Sequence, residues 1–139
     1  MIYEVQITYV TVDNRGNDKN VKENLVVQNA ISFADAEEAG YEYGQGLNLN
    51  EVDVVGVKRS KVKEVLNTCQ HDDDLIWQAE LMDVFHDDEG NEKEIKYKTI
   101  LFAQSFDSAK AFVTEYMRQG YDDMSLVSLK LTKFNEVIK

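Results

Sequence analysis

From Ile2 to Val12 the chain alternates, with Tyr3, Val5, Ile7 and Tyr9 on one face and Glu4, Gln6 and Thr8 on the other. A period of two, rich in β-branched and aromatic residues, predicts a half-buried strand. Asp13 to Asp18 is turn chemistry, because Gly16 and Asn17 accept positive φ, and Val21 to Asn29 predicts the return strand of a hairpin. Ser32 then reads as a helix N-cap whose hydroxyl accepts from a first-turn N–H, with Asp35 at the capping-box position. Phe33, Ala36, Ala39 or Gly40, and Tyr43 recur at helical spacing and predict a core-facing stripe, with Gly44 and Gly46 as the stop. Gly40 costs about 1 kcal/mol relative to Ala inside a helix, so it marks a close packing point or an early end. Val52 to Val57 predicts a third strand, which continues through Lys58 to Lys63 and on to Val65.

After a polar stretch the pattern restarts. Trp77, Ala79 and Leu81 share one face of a strand, Asp87 to Glu92 supplies a turn, and Ile95 to Ala103 returns. Ser105 caps a helix carrying Phe106, Ala109, Phe112, Val113, Tyr116 and Met117 toward the core; Gly120 ends it, and Ser125 to Phe134 predicts the last strand. The two passes align. Tyr3 matches Trp77 and Gly16 matches Gly90 at an offset of 74, Ser32 matches Ser105 at 73, and Lys58 matches Lys130 at 72. An offset that drifts at loops is the mark of two diverged copies of one unit. The expectation is an α+β fold of two pseudo-symmetric β-β-α-β repeats, mainly antiparallel sheet with two helices packed on it. The repeats would span 1–66 and 75–139 around a linker over 67–74, forming one compact domain.

The residues Tyr3-Glu4-Val5, Ser32-Phe33-Ala34-Asp35-Ala36-Glu37 and Val55-Gly56-Val57-Lys58-Arg59-Ser60-Lys61, with Trp77, the Gly90 turn and Ser105-Phe106-Asp107 in the second half, carry a resemblance. Together they resemble an uncharacterised domain-of-unknown-function family of Bacteroidetes and their phages. The resemblance covers nearly the whole chain and departs from the family at Cys69 to Asp74. It implies a bacterial or phage cytoplasmic setting and transfers no catalytic residue.

Composition narrows the function. Hydrophobic residues are 43% of the 139, enough for a real core, and the formal net charge is −11. Such a chain repels phosphate backbones, so general nucleic-acid binding is not expected, whereas basic protein surfaces are attracted. One cysteine, Cys69, rules out an internal disulfide. No apolar run approaches a membrane span, and Met1 to Val5 lacks a signal-peptide pattern, so cytoplasmic residence is expected, in a bacterial cell or a phage-infected host.

Candidate chemistry is sparse. Cys69, His71 and Asp72 to Asp74 are ligand types, but zinc takes about four ligands and the other histidine is the distant His86. His86 to Asn91 fails the calcium-loop spacing and reads as a hairpin turn. Asp122 with Asp123, or Glu37 with Glu38, are adjacent carboxylates of the solvated kind. Neither a triad nor a phosphate loop can be assembled. The expectation is a protein without catalytic residues, metal or cofactor.

Two surfaces remain. Acidic faces at Glu37, Glu38 and Glu42, at Asp72, Asp73 and Asp74, and at Asp87, Asp88 and Glu89 would engage a basic protein partner, in the extreme as a phage inhibitor that mimics nucleic-acid charge. Alternatively, a basic stripe of Lys58, Arg59, Lys61 and Lys63 with Lys130 and Lys133 would hold a small ligand or nucleotide, with Arg59, Lys61 and Lys63 on one face of a strand; the competing role for these lysines is protection of a sheet edge. Tyr41, Tyr121 and Trp77 are candidate interface anchors, with core packing the stronger expectation for Trp77. Exposed strand edges leave a homodimer open.

Overall fold

A computed structural model describes residues 1–120 and 123–139. Among these, the element order is β1 (Tyr3–Val12), β2 (Asp18–Val27), α1 (Phe33–Gly46), β3 (Asn50–Arg59), β4 (Val62–Val65), β5 (Leu75–His86), β6 (Glu92–Ala103), α2 (Phe106–Arg118), β7 (Asp123–Leu131) and β8 (Glu136–Ile138). The fold is α+β, with a β-β-α-β run occurring twice and each run followed by one short strand. Among the described residues, no helix is long and apolar enough to cross a membrane.

The strands make two four-stranded sheets among the described residues, ordered β3-β1-β2-β8 and β4-β6-β5-β7. Within each, the hairpin and the post-helix strand pair antiparallel, and the fourth strand adds in parallel: β8 beside β2, and β4 beside β6. The chain accordingly forms two compact units, Met1–Ser60 with Lys133–Lys139, and Lys61–Thr132. These limits differ from the 1–66 and 75–139 read off the repeat, because each run gives its short last strand to the sheet of the other run. The outer edges of β2 and β6 would otherwise present unpaired backbone N–H and C=O groups, and the short strands cover the Leu25–Val27 part of one and the Lys98–Ile100 part of the other.

It follows that Lys58 to Val65 is not one strand. β3 stops at Arg59, Ser60 N donates to Ile2 O at 2.9 Å, and β4 begins at Val62 in the other sheet. The final strand expected over 125–134 likewise ends at Leu131, ahead of β8.

In the first unit, Tyr3, Val5 and Ile7 of β1 and Leu25 and Val27 of β2 are buried against Ala36 of α1, with Ala39 and Tyr43 partly buried alongside. The hairpin turn is closed by the Asp13 carboxylate, which accepts from Arg15 N (2.8 Å) and Asn17 N (3.0 Å), while Gly16 takes φ 81°. Ser32 caps α1 as expected, accepting from Asp35 N at 3.2 Å. The helix runs through Gly44 instead of stopping there. A Cβ on Gly44 would lie 2.6 Å from both Val52 methyls, and one on Gly40 2.9 Å from Val5, so both glycines are close-approach points of helix on sheet.

The second unit repeats these devices. Trp77, Ala79, Leu81, Leu101, Ala103, Ala109 and Val113 form its core. Asp87 closes the β5–β6 turn on Glu89 N and Asn91 N, with Gly90 at φ 84°, and Ser105 caps α2. Trp77 is buried, and its indole N–H donates to Ala103 O at 2.9 Å. One expectation fails in both units: Phe33 and Phe106 are 52% and 48% exposed. Each is the first residue of its helix, and its ring makes an edge-type contact, Phe33 with Tyr3 (5.2 Å between centroids) and Phe106 with Trp77 (6.1 Å).

Candidate functional site

The nine acidic candidates separate into two kinds. Glu37, Glu38 and Glu42 share the outer face of α1, where one-turn spacing groups them around Tyr41 along a shallow cleft of about 440 Å³ with Ala34 and Gln45. The Tyr41 hydroxyl donates to Asp53 Oδ1 at 3.1 Å, which holds the ring on this face. No lysine or arginine occurs in α1.

The remaining acids are largely turn-builders. Asp74 accepts from Gln70 N (2.8 Å) and His71 N (3.1 Å), and the Gln70 bond leads the effects that hold its carboxyl below the usual range. Asp73 accepts from Gln104 Nε2 at 2.9 Å. Asp87 is likewise lowered, first by its bond from Asn91 N. Asp72, Asp88 and Glu89 point to solvent without a comparable grouping. Cys69 is exposed, with Sγ 3.2 Å from His71 O. Among the described residues no three metal-ligand side chains converge. Tyr121 and Asp122 lie outside the described residues.

The basic stripe is dispersed by the strand exchange. Arg59 stands opposite Tyr3 on β3, while Lys63 sits on β4 of the other sheet with Nζ 4.6 Å from the Tyr97 ring centroid. Arg59, Lys61 and Lys63 therefore do not share a strand face, since the chain changes sheet between Arg59 and Val62. Lys130 pairs with Gln78 across β7 and β5. The structure does bring Lys58 and Lys133 together: both line a cavity of about 350 Å³ in the first unit, with Glu4, Gln6, Asn24 and Phe134. Lys58 Nζ lies 3.7 Å from Glu4 Oε1.

A third constellation escaped the sequence reading. In the first unit, Glu23 on β2 accepts from Tyr9 on β1 (3.1 Å) and from Tyr43 on α1 (3.2 Å), one phenol per carboxylate oxygen. Both phenols are pushed up, chiefly by burial and then by Glu23. In the second unit, Tyr97 on β6 is pushed up to about 12, first by burial and next by Asp83 on β5. Tyr116 on α2 is raised by burial and then by Glu64 on β4. Asp83 Oδ1 is buried without a hydrogen-bond donor. The signal was present in the alignment of the halves: Tyr9 matches Asp83, Glu23 matches Tyr97, Tyr43 matches Tyr116 and Glu136 matches Glu64. It was hidden because phenol and carboxylate trade strands between the units. In these groups phenols face carboxylates across neighbouring elements, Tyr43 and Tyr116 from the helices and Tyr9 and Tyr97 from the strands.

The chain belongs to the family described as Domain of unknown function (DUF4494), whose model matches residues 1–139. No curated protein matches it.

Proposed function

Starting from that membership, we propose that this protein is a non-enzymatic acidic binding protein, encoded by a phage or mobile element and acting in the cytoplasm, that engages a basic surface of another protein through the outer face of α1. The observation that supports this most is the grouping of Glu37, Glu38 and Glu42 around Tyr41 on a helix without a positive charge. None of the three carboxylates has an ion-pair partner among the described residues, so an incoming Lys or Arg displaces no intramolecular salt bridge. Tyr41 adds a ring face on which a cation can rest, worth about 0.5–1 kcal/mol at an exposed site. The protein's net charge of −11 accelerates encounter with a basic partner and turns away nucleic acid. An inhibitory outcome follows if the basic surface is one the partner uses for nucleic acid.

The test is capture of the partner from bacterial lysate with the intact protein, followed by titration. With E37Q/E38Q/E42Q the affinity is expected to fall at least tenfold, and with D72N/D88N/E89Q to hold within about twofold. Wild-type affinity is expected to fall steeply with added salt. Equal affinity of the two triple variants, or binding indifferent to salt, refutes the reading.

A further inference from the structure

We infer that the cavity on the first sheet is a binding site for a small organic anion, one bearing a single phosphate or carboxylate on a planar body. This inference does not rest on the acidic helix face.

Val5 and Ile7 of β1 point to α1, so Glu4 and Gln6 point to the opposite face of the sheet, where the cavity lies. Gly56 opens it. This residue stands across from Gln6 in the β1–β3 register, and a Cβ there would meet only Gln6 Cβ, at 3.8 Å. Between Gln6 and Ile7 the β3 partner jumps from Gly56 to Val54, so Val55 bulges out, half exposed, and does not line the cavity. At about 350 Å³ the space is at the lower end of the range that small-ligand sites occupy.

The lining specifies the ligand. Lys58 comes from β3, on one edge of the sheet, and Lys133 from the segment leading into β8, on the other, yet both reach this cavity. Glu4 neutralises Lys58 at 3.7 Å, while Lys133 has no carboxylate within 4 Å among the described residues. The net charge of the lining is one positive, on a protein of −11, which favours an anionic group there. Gln6 Nε2 donates to Asn24 Oδ1 at 3.1 Å, which leaves Gln6 Oε1 as an acceptor and Asn24 Nδ2 as a donor. Asn24 is itself pinned, its N–H donating to Asn135 Oδ1 at 2.7 Å. A planar body with one donor and one acceptor edge, seated against Phe134, fits this wall; nucleobases and aromatic amides share that chemistry.

The experiment is an NMR titration of the full chain, following the side-chain amides of Gln6 and Asn24 and the backbone of Gly56. The probes are inorganic phosphate, benzoate, nicotinate, adenosine monophosphate and uridine monophosphate. Saturable shifts at these three residues are expected with at least one organic anion, and the pattern across probes separates a phosphate from a carboxylate source. K133Q is expected to weaken that binding at least tenfold and G56V to abolish it, with K130Q within twofold of wild type; thermal melts of each variant confirm folding. The inference is overturned by the absence of saturable shifts with every organic probe, by an equal response to inorganic phosphate alone, or by binding that survives both K133Q and G56V. E37Q/E38Q/E42Q leaves the titration unchanged, so its outcome is separate from that of the α1 interaction.

Discussion

The two units share an element order and differ in how they fill it. In the first, Gly40 of α1 faces Val5 of β1. At the matching positions of the second, Val113 of α2 and Ala79 of β5 are both fully buried in one core. Large and small have changed places across the helix–sheet contact. The phenol and carboxylate of the strand pair have done the same, Tyr9 and Glu23 becoming Asp83 and Tyr97. The lesson is that the fold constrains pairs: a summed volume at one contact, and one donor plus one acceptor at another. Outside these constraints the units diverge freely, and there α1 carries only acids while α2 carries Lys110 and Arg118, the latter 3.7 Å from Glu115.

That comparison can be broken by transplanting one partner without the other. Gly40→Val brings a methyl-bearing Cβ into Val5 and Val54 and is expected to destabilise the protein by about 3 kcal/mol, at the upper end for overpacking. Adding Val5→Ala, which reproduces the solution of the second unit, is expected to recover at least about 1 kcal/mol relative to the sum of the single changes. Urea melts of the four proteins in the cycle measure this, and strict additivity would falsify the pairing of volumes.

Tyr43→Phe removes one of the two donors to Glu23 and is expected to cost about 1 kcal/mol, read by the same melts. A pH series sharpens the phenol comparison. The folded-state pKa of Tyr97 is raised to about 12 from an ordinary 10.0, so its contribution is fully present below pH 10 and disappears as pH rises toward 12. Stability is expected to decline over that window, and Tyr97→Phe to flatten part of the decline; an unchanged slope in the variant would refute the assignment. The smallest effect concerns the turns. The Asp87 carboxyl is held below 3.8, so its contribution is present above that pH and fades as pH falls through the lowered value. Asp87→Asn is expected to make thermal midpoints between pH 5 and pH 2 slightly less sensitive to acid, and an equal or steeper acid dependence in the variant counts against it.

Local chemistry was readable wherever it was decided by neighbours in sequence. Gly16 and Gly90 at positive φ, the caps at Ser32 and Ser105, and the alternation of β1 and β5 all depend on a few adjacent residues. Alternation, however, reports which face a residue takes and is silent about which sheet receives the strand. Val62 to Val65 follows Arg59 with no turn signal that sets it apart from β3, and its place beside β6 is dictated by an edge formed about 35 residues later. The dispersal of the lysines follows from that one omission. So does the cavity, because the meeting of Lys58 with Lys133 depends on β8 joining the first sheet. Phe33 and Phe106 misled for another reason: helical periodicity marks a stripe but not how far along it burial extends, and both first-turn rings are about half exposed.

The exchanged strands also order events during synthesis. Everything the second unit needs, from Lys61 to Thr132, leaves the ribosome as one uninterrupted stretch and can fold as it emerges. The first unit has its hairpin and helix early but must hold the β2 edge open until a segment 111 residues downstream is translated, as the Asn24–Asn135 bond shows. The half made first is therefore the half completed last, and translation pauses or chaperone contacts that shelter β2 in the meantime bear on its yield.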